Sequence, residues 1–244
     1  MTDQIINWLN GFSAFILVCA AWIMAIITLT YYFKDKNKRH LNELIFLAAI
    51  ALGWTGITIT FLSVVFYNEN LPWVRGVISY FSYSTIPIGA TAIIIFTWDV
   101  FGSPKYKKVM ISGFVCISIV YYIILYSTFK ISVICPEVPE GEIYDDWINP
   151  ESIIFYFIWL IIGITAIVTG YGFFKFRKMT AGDLKKRAGF IILASLLVGS
   201  GVLSDTVVLG SLIQPHVHLL FIVRFMTLIG AFFTFWALRP SKTT

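Results

Sequence analysis

Asp205 and Arg224 carry charge where charge is hardest to keep. Each interrupts a long apolar run, LLVGSGVLSDTVVLGSLI at residues 196–213 and HLLFIVRFMTLIGAFF at 218–233. A carboxylate and a guanidinium brought together can form a hydrogen-bonded ion pair, and the same two groups can hold a polar ligand or ion. At 1.5 Å of rise per residue, Asp205 lies about 12 Å and Arg224 about 10 Å inward from the outer ends of their stretches. Only Gln214, Pro215 and His216 separate the two stretches, which predicts an antiparallel hairpin with the two charges at matching depth. One reading is a clamp fixing the register of two helices; the other is a ligand or ion site facing the bundle interior.

The elements around these residues follow from composition. The chain has 244 residues, 58% hydrophobic and 13% charged, with mean hydropathy +0.83. Such a sequence folds in a bilayer rather than in water. Seven stretches reach the roughly 20 residues needed to span the hydrocarbon core as helices: 12–33, 44–66, 77–98, 109–129, 153–174, 188–213 and 217–238. They are continuously apolar rather than alternating, which excludes barrel strands. The expected fold is an all-α integral membrane protein, a single seven-transmembrane-helix bundle with an acidic outer loop at 130–150.

All of the 18 basic residues except Arg75, Lys130 and Arg224 fall after the first, third, fifth and seventh spans. The positive-inside rule makes that side cytoplasmic and predicts an N-terminus outside, a C-terminus inside and a multi-pass protein of the plasma membrane. Residues 1–11 contain no Lys or Arg, so the first span reads as a retained helix rather than a signal peptide. The net charge of +5 follows this topology and gives no reason to expect nucleic acid as a partner. The inner basic loops, above all Lys175 to Arg187, are where anionic lipid or a protein partner would dock.

A second polar region lies in SYFSYSTIPIGATA, where Pro87 is the only proline within a span. Proline removes one helix hydrogen bond and frees a carbonyl. The hydroxyls of Tyr80, Tyr83 and Ser84 either satisfy the freed backbone groups or line a pocket with Arg75 at its mouth and Ser204 across from it. The small residues Gly199, Gly201, Ser204 and Gly210 around Asp205 serve close helix packing or leave room for a cavity.

The outer loop carries Glu140, Glu142, Asp145 and Asp146, and with His216 and His218 these are weak candidates for cation ligands, since their spacing matches no EF-hand. A solvated loop is the plainer expectation. Cys19 and Cys116 fall inside spans, and Cys135 has no outer cysteine to pair with. The seventh span lacks a lysine for a retinal Schiff base. None of the three histidines lies deep enough to ligate haem, and no HExxH or GxSxG appears. Neither a cofactor nor an enzymatic activity is expected.

The segment KKRAGFIILASLLVGSGVLSD, residues 185–205, and the seven-helix plan resemble the N-terminal seven-transmembrane sensor modules of archaeal and bacterial histidine kinases and related stand-alone archaeal membrane proteins. The resemblance implies a receptor-like, signal-relaying membrane module. Those modules usually continue into a cytoplasmic output domain, and only 239–244 follow the last span here, so the expectation is output through a separate partner protein. The alternatives are a small transporter or channel using Asp205 and Arg224, or a structural subunit of a membrane complex.

Overall fold

The computed structural model describes residues 2–69, 77–102, 104–135, 141, 143, 146–210 and 218–240, with backbone alone at 2–7, 101, 104–106, 207–210 and 218. These residues form α1 (Thr2–Asp35), α2 (Lys38–Gly53), α3 (Thr55–Tyr67), α4 (Val77–Phe101), α5 (Pro104–Ser132), β1 (Val133–Ile134), β2 (Trp147–Ile148), α6 (Ile153–Met179), α7 (Gly182–Gly210) and α8 (His218–Leu238). Six helices are each long and apolar enough to cross a membrane. A seventh span exists if α2 and α3 count as one bent span.

Local chemistry sets the helix ends. The α1–α2 turn uses Lys36 in the left-handed region (φ 52), the Asp35 carboxylate accepting from the Asn37 N–H at 2.9 Å, and Asn37 as N-cap accepting from the Arg39 N–H at 3.0 Å. Asn68, also left-handed, ends α3 with its N–H on the Val64 carbonyl. Gly182 at φ +60 turns the chain from α6 into α7.

The stretch 44–66, read as one span, is bent by 47° at Trp54. Gly53 and Gly56 flank the break, and hydroxyls of α4 cross to carbonyls of α2 beside it. Ser82 donates to the Leu52 carbonyl at 3.1 Å and Thr85 to that of Ala49 at 3.2 Å. A bend deep in lipid persists only when neighbouring groups take over its backbone hydrogen bonds in this way.

Helices α1, α2/α3, α4, α6, α7 and α8 close a ring, and α5 packs outside it on α4 and α6. Large apolar side chains such as Ile23, Ile26, Ile123, Ile167 and Phe225 stay exposed on the outer surface, as a lipid solvent permits. The tightest seam joins α7 to α8. A Cβ on Gly230 would stand 2.7 Å from Val198 Cγ2 and 3.1 Å from the Ala194 carbonyl, and one on Gly201 would meet Thr227 and the Val223 carbonyl. Gly201 of the α7 run therefore serves close approach here, while Gly199 also lines a cavity. Gly230→Ala is expected to cost about 1–2 kcal/mol by overpacking against backbone that cannot yield, read as a lowered unfolding midpoint in bicelles.

The described part of the connection between α5 and α6 packs on the bundle. Its strands pair antiparallel, Val133 with Ile148 and Ile134 with Trp147, and Val133, Ile143 and Ile148 are buried. Burial of Val133, Ile143 and Ile148 draws the described backbone onto the bundle.

Candidate functional site

Arg224 is the largest side chain in the protein that is almost wholly buried, at 1% exposure. Its Nε lies 3.4 Å from Asp205 Oδ1, and its Nη1 donates to the Asn10 backbone carbonyl at 2.9 Å and to the Asn10 side-chain oxygen. On its other oxygen Asp205 accepts a hydrogen bond from the Trp54 indole N–H at 2.9 Å. Four elements thus meet at one ion pair: α1 through Asn10, the α2/α3 break through Trp54, α7 through Asp205 and α8 through Arg224. The guanidinium needs several acceptors and the carboxylate several donors, and both sets come from buried groups.

Asn10 and Trp54 were missed in the sequence. Asn10 falls just before the assigned start of the first span at 12, whereas α1 begins at Thr2. Trp54 reads as one aromatic among many, and the signal was its flanking glycines. Trp54→Phe keeps the ring and removes the donor, and it is expected to cost about 1.5 kcal/mol, the usual worth of a hydrogen bond to a charged group. A loss under about 0.5 kcal/mol in denaturant unfolding would show that the bond contributes nothing.

The pair does not close an interface completely. Asp205 and Arg224 stand on the wall of a cavity of about 80 Å³ with Thr60 of α3, Ser79, Ser82 and Tyr83 of α4, and Thr206 of α7. Asp146, Trp147 and Ile148 of the hairpin also line it, and the Tyr83 hydroxyl holds the Asp146 carbonyl at 3.2 Å. A space of this size admits several water molecules or a small polar solute.

The polar residues around Pro87 do not gather in one pocket: Ser82 and Tyr83 line the cavity beside Asp205, Tyr80, Ser84, Pro87 and Ser204 are not in its walls, Pro87 lines a separate cavity with Thr91 and Tyr122, and Arg75 lies outside the described residues. Tyr80 stacks on Tyr126 with ring centroids 4.7 Å apart, and Ser84 donates to the Tyr80 carbonyl. Ser204 precedes Asp205 in the helix and so points about 100° away from it. Helix α4 runs on through Pro87, where one hydroxyl of α5 replaces the missing donor and a second reaches the next carbonyl. Tyr121 donates at 2.8 Å to the Tyr83 carbonyl, whose helical donor Pro87 lacks, and Tyr122 donates at 2.7 Å to that of Ser84. These tyrosines were also missed, since nothing in YYIILY marks which backbone it serves.

A buried carboxylate outside the expected set is Glu43, 1% exposed, one residue before the assigned start of the second span. It accepts from Thr28 at 3.3 Å and lies 3.4 Å from His40 Nδ1, whose Nε2 lies 3.2 Å from Asp35. This cluster ties α1 to α2 far along the chain from the Asp205 site.

Of the cation-ligand candidates, Glu140, Glu142, Asp145 and His216 and the side chain of His218 lie outside the described residues, and Asp146 is on the cavity wall. Among the described residues no group of three or more His, Cys, Asp or Glu side chains is placed to hold a metal ion. Neither a protein-family model nor a curated protein matches the chain.

Proposed function

We propose that the chain is a receptor-like, multi-pass membrane module that senses a small polar solute in the cavity beside Asp205 and Arg224. The reading takes the N-terminus and the hairpin as outside, from the basic residues that follow alternate spans. The observation that carries it is the position of the ion pair on a cavity wall rather than in sealed packing. A bound solute there touches the groups that hold the α2/α3 break, because Trp54 both lines the cavity and bonds to Asp205. Competition for Asp205 by a ligand weakens the Trp54 bond and releases the bend, a local two-state element of the kind a receptor needs. The inner basic surface of Lys175 to Arg187 is then where a partner protein reads the change.

Native mass spectrometry of protein released from gentle detergent tests this. A small solute retained by the wild type and lost in Thr60→Val and Asp205→Asn supports the reading. No retained solute, together with full folding of the exchanged pair Asp205→Arg/Arg224→Asp, identifies a register clamp and overturns it.

A further inference from the structure

Beneath the polar cavity lies a second one, of about 120 Å³, at the centre of the helix ring. Helices α2, α4, α6, α7 and α8 contribute to its walls, and Trp54, Ile86 and Val202 belong to both cavities. Most of the lining is aliphatic, with Ile50, Ile93, Ile162 and Val198 prominent, but it also includes five hydroxyl residues. Those hydroxyls are committed elsewhere. Thr165 donates to the Ile161 carbonyl, Ser195 to Ile192, Thr234 to Gly230 and Thr85 to Ser82 and Ala49, while Thr169 accepts from Thr97. The Trp54 N–H points its bond at Asp205. Four of the five hydroxyls donate to backbone carbonyls within the protein, so this mostly aliphatic wall offers water few partners and favours hydrocarbon. An engineered cavity of about 150 Å³ with aliphatic and aromatic walls stays dry and takes up benzene or xenon, which sets the scale of the guest.

We propose that the two cavities together form one site for a short-chain amphiphile, with its polar head beside Asp205 and Arg224 and its alkyl tail in the central chamber. This rests on the outer cavity being the sensing site and names the ligand class. The head is neutral and hydrogen-bonding, like an alkanol hydroxyl, because the carboxylate and guanidinium already neutralise one another. The boundary is suited to such a ligand: the indole of Trp54 turns its N–H to the polar side and belongs to the apolar chamber as well. Ile86 and Val202 complete the boundary, and rotamer changes there admit the tail.

The test is photolabelling of the full chain in nanodiscs with two hexanols, one bearing a diazirine next to the hydroxyl and one near the chain end, with adducts mapped by peptide mass spectrometry. The expected result is head-probe adducts on Thr60, Ser82 or Thr206 and tail-probe adducts on Ile93, Ala166 or Val198. Unlabelled straight-chain alkanols should compete up to a definite length and no further, since a chamber of fixed volume rejects added methylenes. Ala194→Leu, which fills the chamber, should lower tail-probe labelling at least fivefold. Tail-probe adducts confined to lipid-facing residues such as Ile167, or labelling indifferent to alkanol length, overturn the proposal. Should the head probe still label the outer cavity in that case, the polar sensing site stands and only the chamber assignment fails.

Discussion

Arg224→Gln is expected to cost about 3–5 kcal/mol of folding free energy, the largest single effect in this protein. The wild-type guanidinium is 1% exposed and answers three acceptors: Asp205 Oδ1, the Asn10 carbonyl and the Asn10 side chain. Glutamine can replace one donor but not the charge. Asp205 then keeps a buried carboxylate with only Trp54 of the donors named here. A carboxylate so placed either stays charged without its counter-ion or takes up a proton, and both lower stability. Asp205→Asn leaves the complementary fault, a buried guanidinium with neutral acceptors, and is expected to cost a similar amount. The double variant removes both charges and should cost clearly less than the sum. The measurement is a four-member cycle of unfolding free energies in bicelles. Additivity within about 0.5 kcal/mol would mean that the two side chains do not cooperate. Arg224→Lys should recover only part of the loss, because a single ammonium cannot match a planar fork that serves α1 and α7 at once.

The legible and illegible parts of this site differ for a physical reason. Asp205 and Arg224 stood out because a charge within an apolar run violates the local solvent, and a violation is visible in one dimension. Equal depth on two helices joined by a short turn then placed them together, and the structure puts them 3.4 Å apart. Their neutral partners violate nothing. Asn10 sits near a helix end and Trp54 in an aromatic-rich sequence, so only the three-dimensional path of the chain selects them. The same holds for Glu43, which a span boundary drawn one residue later placed in the loop. The structure carries α2 back to Lys38 and buries the carboxylate against Thr28 and His40.

Helix count followed the same division. Apolar length defined the stretches, but it could not show that 44–66 is two helices meeting at 47°. That bend depends on hydroxyls from another helix, Ser82 and Thr85, reaching carbonyls of α2. Composition reports the solvent of each segment and is silent on which backbone groups will be served by a neighbour.

The second large effect tests that kind of service directly, at Pro87. Tyr121→Phe combined with Tyr122→Phe is expected to cost about 2–4 kcal/mol, from the Tyr83 carbonyl left without a donor and a second hydrogen bond lost at the Ser84 carbonyl. The rings stay, so the loss isolates the hydroxyls. Tyr121 is fully buried, and its hydroxyl meets the Tyr83 carbonyl, the one acceptor whose helical donor the proline removes. Pro87→Ala supplies an N–H at that position. In the Pro87→Ala background, Tyr121→Phe should therefore cost less than half of what it costs in the wild type, while Tyr122→Phe, which serves the next carbonyl, should change little between backgrounds. An equal penalty for Tyr121→Phe with and without the proline, measured by unfolding in bicelles, would show that the hydroxyl acts through packing alone. Tyr83 adds a functional consequence, because its own hydroxyl holds the hairpin over the outer cavity through the Asp146 carbonyl. A carbonyl released at Tyr83 loosens the backbone that aims this hydroxyl. The double tyrosine variant is thus expected to weaken solute retention in the cavity as well as the fold, and the Pro87→Ala background to restore part of both.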